Sequence, residues 1–287
     1  MKSIDEMARE IQSRFKIVGR LEELKKALAA KLASRHLLIE GEVGVGKTTL
    51  ADAIARYFNQ PMFRVDGDER YTEAKLTGWF DPPAVMKYGY TKDAFVPGPL
   101  TLAMLEGGIL FVNEINRLSE STQNVFLPVM DEGKLGIPKI GEITAKDGFF
   151  IIATQNPLEH VGVTALGEAL RDRFCWIRID YQSEEEEREI VALKSGCSNP
   201  DIIRLAVKIV RATRTHEDLR RGASVRGAID IARLLSHYNG TQVTSKDLWV
   251  QVAVMALGTR VELEDGVGKT VEEVIREIVD ECFEDFR

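Results

Sequence analysis

Cysteine is scarce in this chain: Cys175, Cys197 and Cys282 are the three among 287 residues, odd in number and far apart. That spacing suits neither a disulfide framework nor a zinc cluster, and leaves them as buried or incidental thiols. Long apolar runs are missing too. None approaches the ~20 residues of a membrane-spanning helix. The segment 1–15 is charged throughout, without the apolar stretch of a signal peptide, so a cytoplasmic protein with no membrane insertion is expected. An excess of positive charge is also absent. Thirty-eight Lys and Arg face 45 Asp and Glu, a net charge of −7. That is the wrong sign for a surface tracking a nucleic-acid backbone, although a local basic pore in a ring would escape such a count. What is present is a 44% hydrophobic composition, enough to build a core in one large or two modest domains.

The most specific feature is the run Gly41-Glu42-Val43-Gly44-Val45-Gly46-Lys47-Thr48, a complete G-x-x-x-x-G-K-[ST] phosphate-binding pattern. Four fixed positions arise by chance in only about one in a hundred chains of this length. The context is also right. His36-Leu37-Leu38-Ile39 before it is an apolar strand-like run, and after Thr49 the residues Leu50, Ile54 and Tyr57/Phe58 share one helical face. Glycines let backbone N–H groups curl around phosphate oxygens, and the helix N-terminus adds positive dipole. Lys47 is placed for the β- and γ-phosphates and the Thr48 hydroxyl for Mg²⁺. Residues 41–48 with Thr49 are therefore the candidate contacts for ATP or GTP.

From this loop to about residue 180, short apolar runs alternate with helical patterns, which predicts an α/β unit with a largely parallel sheet. The runs are 37–40, 62–65, 109–112, 149–153 and 175–179. Beyond Tyr181 the character changes. Ser183 followed by Glu184 to Glu187 reads as a helix cap with an acidic first turn, and amphipathic helices are expected over 184–194, 202–219, 225–238, 245–257 and 271–283. A helical domain over 181–287 follows a nucleotide-binding domain over 1–180. The echo Gly266-Val267-Gly268-Lys269-Thr270 lacks the first glycine and a preceding strand, and reads as a turn into the last helix.

Two further apolar runs end in polar groups. Ile109 to Val112 leads into Asn113 and Glu114, where a phosphate-loop ATPase places its Mg²⁺-facing and water-activating groups. Glu114 is the candidate to polarise the attacking water. Asn113, a candidate metal-site residue, can orient a Mg²⁺-bound water through its amide oxygen but brings no charge, so Asn113→Asp is expected to tighten Mg²⁺ dependence. Phe149 to Ala153 leads into Thr154-Gln155-Asn156-Pro157. Asn156 is suited to position water, or simply to form a turn before Pro157, which stops the strand. Arg171 and Arg173 flank Asp172, and the residues alone leave open a catalytic role or a surface ion pair.

With these elements in order, the chain resembles the AAA+ ATPases, and within them the MoxR family of the branch with an insertion in the second helix. Phe95 to Leu100 is similar to the family's F-x-P-G-P stretch, Asn113 to Arg117 to its D-E-I-N-R, and Ala153 to Pro157 to its A-T-Q-N-P. Asp172 to Phe174 resembles its D-R-F, and Gly222 to Arg226 its G-A-S-x-R. Ile17-Val18-Gly19-Arg20 resembles the segment near the adenine, which makes Val18 and Gly19 candidate nucleotide contacts.

The resemblance implies a P-loop core with a five-stranded parallel sheet flanked by helices, followed by an all-α lid, with an insertion at about 80–96 and a hairpin at about 134–147. It implies a sensor role for Asn156, an arginine finger at Arg173 with Arg171 as alternative, and a lid sensor at Arg226. ATP and Mg²⁺ are the implied ligands. The implied partners are further copies in a ring, six in number, and a protein client, often a von Willebrand A domain protein. Asn113 departs from the family's Asp, and 161–166 lacks its usual E-G-T-Y-P-L-P. The implied activity is ATP-driven remodelling or maturation of a protein. The alternatives are a nucleic-acid-directed motor, against which the scattered lysines of the insertion and hairpin speak, and a nucleotide-gated switch of low turnover.

Overall fold

A computed structural model describes residues 2–156, 166–238 and 245–284. Pro157 and the unusual stretch at 161–165 lie outside the described residues. The chain divides into two compact units: Met1–Glu42 with Gly46–Asp180, and Val43–Val45 with Tyr181–Arg287.

The first unit is built on a five-stranded sheet. Its strands are β1 (Leu37–Glu40), β2 (Met62–Asp66), β5 (Ile109–Asn113), β8 (Phe150–Gln155) and β9 (Cys175–Arg178), in the order β2-β5-β8-β1-β9. Every pairing in it is parallel. The central strands are apolar on both faces, as a sheet covered by helices requires: Leu37, Ile39, Ile109 to Val112 and Ile151 to Ala153 are all buried. Each fully buried Leu or Ile contributes about 1.5–3 kcal/mol. Helices α1 (Ile4–Phe15), α2 (Leu21–Leu32), α3 (Lys47–Tyr57) and α6 (Pro99–Glu106) belong to this unit, α3 burying Leu50 and Ile54.

His36 ties β1 to both neighbours beyond the ladder. Its Nδ1 accepts from Ile151 N–H at 3.0 Å and its carbonyl from Cys175 N–H at 2.8 Å. Burial pushes its pKa down to about 4, so the ring is neutral with the proton on Nε2.

Two small antiparallel ladders stand off the sheet. In one, β3 (Gly78–Phe80) pairs with β4 (Phe95–Pro97), and α5 (Pro82–Tyr88) lies between them in sequence. In the other, β6 (Lys134–Ile137) pairs with β7 (Gly141–Thr144). Between the two, α7 (Glu120–Asn124), capped by Ser119, leads into α8 (Phe126–Glu132).

The second unit is helical. In α10 (Glu184–Ser195), Ser183 and Glu186 form a capping box. Glu187 turns inward instead: it is 2% exposed and pairs with Arg211 at 3.2 Å and Arg214 at 2.8 Å. The helix expected over 202–219 is shorter, running Pro200–Ala212. Thr213 ends it, its hydroxyl donating to the Val210 carbonyl at 2.6 Å and accepting the Ala223 N–H at 2.9 Å. No apolar position follows until Leu219, and Leu219–Arg221 becomes a strand paired with Glu262–Leu263. The second unit thus carries a two-stranded ladder besides its helices, so it is not all-α as expected.

The remaining long helices span Val225–Leu235, Lys246–Leu257 and Val271–Glu284. The Gly266 to Thr270 segment is the turn read from the sequence. Thr270 caps the last helix against Glu273, while Lys269 is engaged by Asp218 at 2.9 Å and Glu277 at 2.7 Å. Among the described residues, no helix is long and apolar enough to cross a membrane.

Candidate functional site

The phosphate loop joins β1 to α3. Gly41 N–H donates to the Gln155 carbonyl at 3.3 Å, which anchors the loop base to β8. Gly44 (φ 85°) and Gly46 (φ 99°) occupy the left-handed region, where a side chain is strained. Gly46 caps α3 with no side-chain hydrogen bond, so no side chain of the cap competes for the helix's first N–H groups. Lys47 folds over the loop, its Nζ donating to the carbonyls of Gly41 at 2.5 Å and Glu42 at 3.0 Å. Val45 is buried, Thr48 half-buried, and Val43 and Thr49 exposed.

Val18 and Gly19 lie between α1 and α2. Val18 is buried, and the Gly19 carbonyl accepts from Gln12 Nε2 at 2.5 Å. Arg20 next to them donates to the Asp180 carbonyl at 2.5 Å.

Because the sheet is parallel, the C-terminal ends of β1, β8, β5 and β2 share one edge, the usual place for ligands in such sheets. Asn113 and Glu114 sit there, joined by Thr154. This fully buried hydroxyl donates to Asn113 Oδ1 at 3.2 Å and accepts the Glu114 N–H at 3.0 Å.

Glu114 has φ 56° and ψ 53°, unusual for a residue with a side chain and worth about 1–3 kcal/mol of strain. Its carboxylate pairs with Arg117 at 3.0 Å. Gly67 makes room for it. A Cβ at Gly67 would stand 2.0 Å from the Glu114 carbonyl oxygen, and Gly67 N–H donates to the Asn113 carbonyl at 2.7 Å. Asp66 completes the edge, accepting from Asn113 Nδ2 at 3.0 Å. Hydrogen bonds from Arg64 first, then from Asn113, hold its carboxyl below the usual range.

Gly67, Thr154 and Asp66 went unassigned in the sequence. The available signals were an Asp-Gly pair directly after a strand and a hydroxyl inside Ala-Thr-Gln-Asn-Pro. Gly67→Ala should displace the Glu114 backbone and lower kcat about 10²-fold while ATP binding persists. Steady-state turnover beside calorimetric binding checks this, and unchanged kcat would exclude a positioning role.

The remaining candidates are placed as follows. Asn156 is 8% exposed, and its Oδ1 is buried without a hydrogen-bond partner among the described residues. Buried acceptors are rarely left so, and this one fits a ligand or its water at the sheet edge. Together with the glycine loop and Lys47, the donor and acceptor set fits a polyphosphate with Mg²⁺. Arg173 donates through Nε and Nη2 to both oxygens of Asp131 on α8, each at 2.7 Å, and through Nη1 to the Ala169 carbonyl. Arg171 is exposed at the last position of the short helix Glu168–Arg171. Arg226 is exposed in the first turn of the helix Val225–Leu235 in the second unit.

The family model for the AAA domain (dynein-related subfamily) matches residues 36–174. The uncharacterized protein YeaC of Bacillus subtilis is 30% identical over 250 residues, covering 77% of this chain and 75% of YeaC. The gas vesicle ATPase GvpN of Haloferax mediterranei is 29% identical over 255 residues, covering 83% and 72%. Two solved structures share the fold. One, from Cytophaga hutchinsonii, has a TM-score of 0.55 at 21% identity, covering 96% of this chain and 94% of that one. The other, a mutant of Thermotoga maritima RuvB, has a TM-score of 0.50 at 18% identity, covering 85% and 71%. The fold is that of the phosphate-loop ATPases. The chain belongs to the AAA+ ATPases of MoxR type.

Proposed function

We propose that this chain hydrolyses ATP in a cytoplasmic ring of six copies and uses the energy to remodel or mature a protein client, with a von Willebrand A domain protein as the first candidate. The observation carrying the hydrolytic part is the Asn113-Thr154-Glu114 constellation. It fixes an acidic residue at the sheet edge that also holds Asn156, in the unit that carries Gly41, Lys47 and Thr48. Lys47 and the loop N–H groups bind the phosphates, Glu114 orients and polarises the attacking water, and Asn156 holds that water or the γ-phosphate. Thr48 and Asn113 would hold Mg²⁺, which when bound neutralises charge on the phosphate oxygens. Arg173 serves the neighbouring subunit's nucleotide, and Arg226 is the sensor of the lid.

A protein client is supported by the segment from β3 to β4, which exposes Trp79, Met86, Tyr88 and Tyr90, the second of them at 91%. Apolar side chains clustered in one short solvent-facing segment suit a protein surface better than a phosphate backbone.

Glu114→Gln tests the reading. ATP binding should persist while hydrolysis falls about 10²–10⁴-fold, because only water activation is removed. Hydrolysis at the wild-type rate would remove Glu114 from the mechanism.

A further inference from the structure

Asn113 brings no charge to the place where the proposed Mg²⁺ site calls for it, yet a carboxylate is bonded directly to it. Asp66, the last residue of β2, stands opposite Asn113 in the β2-β5 register. Its Oδ1 accepts the Asn113 Nδ2–H at 3.0 Å. An amide that donates through nitrogen to a carboxylate has its oxygen turned to the other side, and among the described residues Asn113 Oδ1 there meets only the Thr154 hydroxyl, at 3.2 Å. A carbonyl oxygen has two lone pairs, so one acceptor position on Oδ1 remains for a ligand or its water. Arg64 fixes the same carboxylate, Nη2 reaching Oδ1 at 2.6 Å and Nε reaching Oδ2 at 2.9 Å.

We propose that Asp66 is a positioning residue for the metal: it orients and polarises the Asn113 amide so that Oδ1 faces Mg²⁺-bound water, and it supplies, one hydrogen bond away, the negative charge that position 113 lacks. This rests on the ATPase reading above. Groups hydrogen-bonded to metal-site residues tune metal affinity by about 10–100-fold, so a charge at this remove is effective. The pairing also changes the expectation for Asn113→Asp. A carboxylate at 113 would face Asp66 at hydrogen-bonding distance, and two like charges there repel. Asn113→Asp alone is therefore not expected to tighten Mg²⁺ binding.

The test is calorimetric titration of ATPγS into the full-length protein across a series of Mg²⁺ concentrations and in EDTA, with a melting curve for each variant. Asp66→Asn keeps an amide pair and so the fold. It should raise the Mg²⁺ midpoint about 10-fold while leaving ATPγS affinity in EDTA and the melting temperature unchanged. The double exchange Asp66→Asn with Asn113→Asp, which restores one carboxylate and one amide across the same register, should return the midpoint to the wild-type value. An unshifted midpoint in Asp66→Asn, no recovery in the double exchange, or a tighter midpoint in Asn113→Asp alone would each overturn the proposal. If wild-type binding proves independent of Mg²⁺, the ATPase reading fails with it. Mg²⁺ dependence in wild type with no effect of Asp66→Asn sinks this inference alone.

Discussion

Arg173→Ala should abolish ATP hydrolysis while every subunit still binds ATP. An arginine that reaches a neighbour's γ-phosphate stabilises charge present only in the transition state, and such residues contribute about 10³–10⁵-fold in rate. In the chain by itself Arg173 is held by both oxygens of Asp131. That grip keeps the guanidinium in one place in the D-R-F segment, and a partner phosphate would have to compete for it. The pair is solvent-accessible, so its loss should leave the fold intact. Turnover measured beside nucleotide binding checks this. Wild-type turnover in the variant would return Arg173 to the role of a surface ion pair and move the finger to Arg171, which is exposed.

Lys47→Ala should remove tight nucleotide binding altogether. The ammonium bridges the carbonyls of Gly41 and Glu42 and is the one cationic side chain of the loop. Without it the loop itself offers the β- and γ-phosphates only N–H dipoles and no cationic side chain. The glycine conformations at 44 and 46 do not depend on that side chain, so the loop should still fold. Calorimetry with ATP is the measurement, and unchanged affinity would sink the phosphate-loop assignment.

The sheet was legible because its information is local. Leu37 to Ile39, Ile109 to Val112 and Phe150 to Ala153 are apolar runs too short for helices, and each became a strand within a residue or two of its expected ends. The loop glycines announce themselves for the same reason, since positive φ is a local demand. The supports of the site were not legible, because they depend on register. Asp66 meets Asn113 across 47 residues, Thr154 meets Glu114 across 40, and Arg173 meets Asp131 across 42. No spacing pattern reports such distances. Gly67 is needed for a close approach to the Glu114 backbone rather than for its own turn, so only the folded neighbour reveals why it is glycine. The ladder of Leu219–Arg221 with Glu262–Leu263 is a similar case. It consists of two short polar segments with no alternation, made strands by each other.

Subunit mixing is the measurement closest to the central claim of a shared ATPase site. Lys47→Ala and Arg173→Ala proteins should each be inactive alone. A mixture should recover part of the wild-type rate, because an Arg173→Ala subunit has an intact loop and a Lys47→Ala neighbour has an intact Arg173. Arg171→Ala in place of Arg173→Ala decides which arginine crosses the interface. No recovery with either arginine variant at any ratio, together with wild-type hydrolysis that stays strictly linear in protein concentration, would contradict a site completed by a second copy of this chain.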